Sequence, residues 1–194
     1  VRGKAAHAGL DPGKGASAIL ELSHIIQKLF ALNDPHKGIT VNVGTIDGGL
    51  SPNMVAPESK AEVDIRVPTR QDADRVEAAI HSLEAQTPGT DVLIEGSVRR
   101  PPMERTPGNQ RLWALARRGA GELGIEIEQA AAGGGSDGNT TSLFVPTLDG
   151  LGAVGAGAHA VNEHLVLDKM VERSALLARL LSYAPLDEVE PADR

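Results

Sequence analysis

The 194-residue sequence predicts an α/β protein: a ferredoxin-like βαββαβ unit followed by the C-terminal part of a larger α/β domain. Three observations carry this expectation. Before Pro101, apolar residues switch repeatedly between helical spacing and strict alternation. The Pro101-Pro102 pair cannot continue a central strand and marks a boundary, giving units 1–102 and 103–194. The segment after it has helical patterns and a Gly-rich apolar run, but is small for a complete doubly wound domain.

The elements follow in order. Val1 to Ala6 supplies a first strand. After a turn made by Gly9, Asp11, Pro12 and Gly13, the stretch Gly15 to Ala31 puts Ile19, Leu22, Ile26, Leu29 and Phe30 on one helical face. Ile39, Val41 and Val43 alternate with polar residues, as do Ala61, Val63, Ile65 and Val67, which predicts two half-buried strands. Their connection, with Gly48, Gly49, Ser51, Pro52, Asn53 and Pro57, is too long for a tight hairpin, and long loops of this kind are often functional. Gln71 to Gln86 is helical again, and Val92, Ile94 and Val98 share one face of a fourth strand. In this order the two helices share one face of the sheet, leaving Glu62, Asp64 and Arg66 on the other.

In the second unit a helix is expected from Asn109 to Leu123 with Leu112, Leu115, Ala116 and Leu123 inward, then a short strand at Ile125 and Ile127. The glycine run Gly133 to Asn139, an apolar stretch to Gly157, the segment Ala158 to His164 and a helix from Asp168 to Tyr183 complete it. The acidic, Pro-containing tail after Ala184 is expected to fray. The missing strands are expected before Val1, which makes the first unit an insertion in a larger domain.

Composition excludes several functions. With 19 basic against 26 acidic residues, scattered rather than striped, and four aromatic residues, neither phosphate tracking nor base stacking is expected, so nucleic acid is not a partner. No run reaches the roughly 18 apolar residues that span a bilayer, so no membrane partner is expected either. Without cysteine, any metal must be held by histidine and carboxylates. The start Val1-Arg2-Gly3-Lys4 is neither a methionine nor a signal peptide and reads as mid-protein, which favours the cytoplasm and leaves secretion or the periplasm open.

Single residues stay ambiguous. His159 follows an apolar run ending in small residues, where α/β proteins present site groups, and is either a loop histidine or a metal ligand. The glycine run is either a turn or a backbone nest for a carboxylate, and it lacks the spacing of a nucleotide loop. His7 can be an exposed loop histidine or a projecting site residue. Asn53 can cap a turn, and Arg66 can pair at the surface with Glu62 or Asp64.

Their order is more specific. Gly3-Lys4-Ala5-Ala6-His7-Ala8-Gly9 with Gly15 to Ile19, Ser51-Pro52-Asn53-Met54-Val55, Ala61 to Arg66, Gly133 to Asn139, and His159-Ala160-Val161-Asn162-Glu163 form five collinear blocks. Together they resemble the zinc-dependent aminoacylase, glutamate carboxypeptidase and succinyl-diaminopimelate desuccinylase metallopeptidase family, over its C-terminal half. The resemblance implies a ferredoxin-like lid that dimerises the protein, followed by the C-terminal part of an α/β metallo-exopeptidase catalytic domain. It implies a dinuclear-metal amide hydrolase, a carboxypeptidase or N-acyl-amino-acid deacylase with two zinc ions. Its substrate would be a small peptide or N-acyl amino acid bearing a free carboxylate.

By the same resemblance His159 is a metal ligand and His7 a catalytic residue reaching from one lid into the partner's active site. Asn53, Arg66, Gly134 and Gly135 bind substrate. The family's His-x-Asp motif, bridging Asp, Glu-Glu pair and further carboxylate ligand have no counterpart here, so the chain alone is expected to be inactive. A non-catalytic dimerising or small-molecule-binding ferredoxin-like module is the alternative. No residue selects among the family's substrates.

Overall fold

The computed structural model describes residues 1–184; the expected frayed tail lies outside them. Two compact units divide after Pro102. Both are mixed α/β.

The first unit is built on an antiparallel hairpin, β1 (Thr40–Gly48) and β2 (Ser59–Arg66), packed against helix α1 (Ala18–Phe30), with α2 (Arg70–His81) also lining the core. Val41 opposes Ile65 and Val43 opposes Val63; an extra residue at Gly44 then shifts the register so that Ile46 opposes Ala61. The bulge keeps Ile46 on the apolar face after an odd step in sequence. Helix α1 starts where the Ser17 hydroxyl accepts the Leu20 N–H at 3.2 Å, and α2 where Thr69 Oγ1 accepts the Asp72 N–H at 3.0 Å. Ile25, Leu29, Ile39, Val41 and Val76 form the core between helices and hairpin.

The buried stripe of α1 is Ala18, Glu21, Leu22, Ile25 and Leu29. The expected face was partly wrong, since Ile19 and Phe30 are exposed. Those five residues follow the i, i+3, i+4, i+7 rhythm of one helical face, and a charged residue hid it from a reading based on apolar positions. Glu21 is fully buried because it has backbone partners: its carboxylate accepts the N–H groups of Gln86 at 3.2 Å and Thr87 at 2.7 Å. One acidic side chain thereby ties the segment after α2 to α1.

The four-stranded sheet expected from the sequence is not formed as such. Only its middle pair is a regular ladder. The N-terminal segment makes isolated antiparallel bridges from Arg2 to both Glu58 and Asp91, from Lys4 to Ala16 and from His7 to Met54. It lies between the chain entering β2 and Asp91, but shares its hydrogen bonds among several partners and never builds a continuous strand. Beyond Asp91, Val92 and Ile94 remain half-buried with no ladder.

In the second unit α3 (Pro107–Glu122) packs on α5 (Leu167–Leu181), with the short helix α4 (Gly138–Thr141) and a two-residue ribbon of β3 (Gly155–Ala156) and β4 (His164–Leu165) between them in sequence. Thr106 caps α3, and Pro107 occupies its first turn. Its buried face is Asn109, Ala116, Gly119 and Ala120; Leu123, expected inside, is largely exposed. Small residues win here because α5 comes close: a Cβ on Gly119 would lie 3.3 Å from Arg179 Cγ. Arg179 then bonds Glu122 through Nε at 2.6 Å, and both Arg179 and Arg118 lie over the Tyr183 ring. The expected strand at Ile125 and Ile127 is absent.

Burial pushes the Glu21 carboxyl up, but hydrogen bonds from Thr87 and Gln86 and the nearby His24 outweigh it and hold its pKa below the ordinary value. Such a group contributes stability that is present above the unfolded-state pKa of about 4.3 and lost as pH falls through the lower folded value. Glu21→Gln should cost about 1–3 kcal/mol near neutral pH. It should also flatten the loss of stability in acid, as measured by denaturant unfolding across a pH series. An unchanged acid limb would reject this account.

Candidate functional site

The N-terminal segment and the loop between β1 and β2 meet at His7 and Asn53. Val55 N–H donates to Ala6 O at 2.9 Å and Ala8 N–H to Asn53 O at 2.9 Å, so the two side chains come from adjacent antiparallel stretches. They line a shallow depression of ≈ 290 Å³ with Ala5, Ala6 and Met54.

Local hydrogen bonds set what each can offer. His7 Nδ1 accepts the backbone N–H groups of Gly9 and Leu10, both at 3.1 Å. A neutral imidazole with an accepting Nδ1 carries its proton on Nε2, which is then a donor. Asn53 Oδ1 accepts the Ser51 hydroxyl at 2.6 Å, which leaves the Nδ2 amide as that residue's donor. The pair suits an electron-rich oxygen.

Arg66 is elsewhere in this unit. It ends β2, seven residues beyond Ser59, or roughly 20 Å at about 3.3 Å per residue. Its Nε bonds Asp64 Oδ2 at 2.7 Å on the exposed face of the hairpin. The fold therefore brings His7 and Asn53 together and places Arg66 at the opposite end of the hairpin.

In the second unit the glycine run forms a turn leading into α4. A Cβ built on Gly133 or Gly134 would meet nothing within 4 Å, so space is open on that side of the turn. Gly135 continues it into Ser136, whose N–H donates to Asn139 Oδ1 at 2.8 Å and whose hydroxyl accepts the Gly138 N–H at 3.0 Å. The same hydroxyl donates to Asp149 Oδ2 through a short hydrogen bond. Asp149 Oδ1 in turn accepts the Gly150 N–H at 2.8 Å. Asp149 was not singled out from the sequence; nothing but the fold brings it to the glycine turn.

His159 occupies the connection between β3 and β4. Its φ of 66° makes it the one non-glycine residue at positive φ among the described residues. Such a conformation is uncommon for a residue with a Cβ and costs on the order of 1 kcal/mol. Glu163 Oε2 accepts its backbone N–H at 3.3 Å, which helps hold the turn. The imidazole is exposed and suits a metal in type. In number the donors do not suffice: among the described residues no three His, Asp or Glu side chains gather in a way that could hold an ion.

Residues 1–89 match the peptidase dimerisation domain of the M20 family, and the N-terminal unit belongs to it. Similarity to curated relatives covers nearly the whole chain. The uncharacterized protein YqjE of Bacillus subtilis is 30% identical over 95% of this chain and 50% of its own length. Carboxypeptidase G2 of Pseudomonas sp. (strain RS-16) is 27% identical over 93% of this chain and 45% of its own. The chain thus spans about half the length of these curated relatives. Among solved structures, aminopeptidase PepT of Bacillus cereus superposes with a TM-score of 0.78 at 24% identity, over 92% of this chain and 48% of that one, and shares the fold.

The hydrogen bonds around His7 require the Nε2–H tautomer in the neutral ring. Nitrogen NMR of the imidazole should report it, and a predominant Nδ1–H form would reject the arrangement.

Proposed function

We propose that the complete protein hydrolyses amide bonds, as a carboxypeptidase or N-acyl-amino-acid deacylase acting on small substrates with a free carboxylate. The observation that carries this is the donor pair of His7 and Asn53 at the edge of a peptidase dimerisation unit. Carboxypeptidase G2 among the relatives supports the reaction class. In this reading residues 1–102 are the lid through which two copies associate, and residues 103–194 are part of the catalytic domain.

The residues of this chain have defined tasks. His7, from one subunit's lid, donates its Nε2 proton in a hydrogen bond to the scissile carbonyl oxygen of a substrate held by the partner, and Asn53 Nδ2 reinforces it. Such donors act by stabilising charge that grows in the transition state. The backbone at Gly134 and Gly135 and the guanidinium of Arg66 hold carbonyl and carboxylate oxygens. Arg66 would have to leave or share its contact with Asp64 to do so. Zinc, as a pair of ions, is the proposed cofactor. His159 supplies one ligand, and the rest come from outside this chain, so the chain alone does not turn over.

No described helix is long and apolar enough to cross a membrane. The proposed setting is the cytoplasm, with the periplasm or secretion as the alternative.

The complete protein, offered a panel of C-terminal glutamyl peptides and N-acyl amino acids with zinc, should hydrolyse at least one and lose that activity to a chelator. No turnover from a metal-loaded dimer would sink the proposal in favour of a non-catalytic dimerising module. His7→Ala should lower kcat by about 10²–10³-fold with the dimer intact. His159→Ala should lower bound zinc, and wild-type zinc content in that variant would count against ligation.

A further inference from the structure

A Cβ on Gly133 or Gly134 would meet nothing within 4 Å, and a run of three glycines is conformationally permissive backbone. A binding surface made of such backbone needs something to hold it. Ser136, which follows the run, and Asp149 fix the chain at the C-terminal end of the run. The Ser136 hydroxyl is used twice, as donor to Asp149 Oδ2 and as acceptor of the Gly138 N–H, and its backbone N–H is taken by Asn139. Asp149 is itself oriented, since its second oxygen accepts the Gly150 N–H in a turn where Gly150 has φ 74°.

The spacing is specific to these residues. A Cβ on Gly138 would lie 3.0 Å from Ser136 Oγ and 3.1 Å from Asp149 Oδ2, so a side chain there would press on both partners. The chain that carries Asp149 is anchored in turn. Thr147 N–H donates to Oδ1 of the buried Asn109 at 2.7 Å, and Asn109 Nδ2 bonds Ser142 Oγ and Glu104 O, each at 2.8 Å. A chain of hydrogen bonds therefore runs from helix α3 through Asn109, the 142–149 segment and Asp149 to Ser136 and the glycine turn.

We propose that Asp149 is a positioning residue, which acts through Ser136 to hold the Gly134–Gly135 backbone in the shape that receives the substrate's carboxylate or carbonyl oxygen. This rests on the hydrolase reading for the identity of the ligand, but the pinning of the turn does not. Pre-ordering the turn spares the substrate the entropy of fixing it on binding, so the effect falls on KM more than on kcat.

The test uses the complete protein. Asp149→Ala should raise KM about tenfold with kcat within about threefold, and should speed amide hydrogen exchange at residues 133–138 while exchange in α3 and α5 stays at the wild-type rate. Asp149→Asn keeps a carbonyl oxygen for the Ser136 hydroxyl and should recover much of both effects. Ser136→Ala should reproduce Asp149→Ala, and Ser136→Thr, which keeps the hydroxyl, should recover; this pair decides the question if Asp149→Ala does not fold. Unchanged exchange and KM in Asp149→Ala, or in Ser136→Ala where that pair decides, would overturn the proposal. So would equal losses in the alanine and conservative variants. If the wild-type protein hydrolyses nothing, the proposed reaction is what fails, and the exchange rates at 133–138 still decide whether Asp149 pins the turn.

Discussion

Two backbone hydrogen bonds, from Val55 to Ala6 and from Ala8 to Asn53, lay the N-terminal segment against the chain that enters β2. The arrangement of the first unit depends on them. They turn residues remote in sequence into neighbours across an antiparallel pair, so His7 and Asn53 line one depression. The net energy of each bond is modest, about 0.5–1.5 kcal/mol, but register is all-or-none: a slip of one residue would turn His7 to the other face. The same pairing reaches Arg2, which bridges to both Glu58 and Asp91. With Glu21 binding the backbone at Gln86 and Thr87, it fastens segments that no regular ladder holds.

The second unit solves a similar problem with side chains. Between α3 and α5 most of the chain is exposed or half-buried loop, and side chains supply partners for its backbone. Asn109 serves Glu104, Ser142 and Thr147, and Asp149 serves Ser136 and Gly150. The helices themselves meet through small residues, with Arg179 and Glu122 closing the contact. Desolvation works against that ion pair, but their mutual hydrogen bonds prevail: the Glu122 carboxyl is held below, and the Arg179 guanidinium above, its ordinary pKa.

Periodicity made the long elements legible. The α1, β1, β2, α2, α3 and α5 segments were each readable from apolar spacing, because burial of one face is a local property of the pattern. The readings that failed were those decided by neighbours. Val92 and Ile94 alternate as a strand should but meet no partner strand, and Ile125 and Ile127 likewise form none. On α1, Glu21 displaced an apolar residue from the inward face because backbone donors awaited it.

The candidate site divides in the same way. The sequence by itself determined the residue types and their order: five collinear blocks with His7, Asn53, Arg66, the glycine run and His159, which is enough to indicate the family. Covalent order and side-chain chemistry are written in the chain. Tertiary structure alone decided that His7 and Asn53 meet while Arg66 ends at the far side of the hairpin, that His7 offers Nε2, that His159 sits at positive φ, and that Asp149 reaches Ser136. Each of these depends on which distant backbone groups come within hydrogen-bonding range, and that is set by packing rather than by any local pattern.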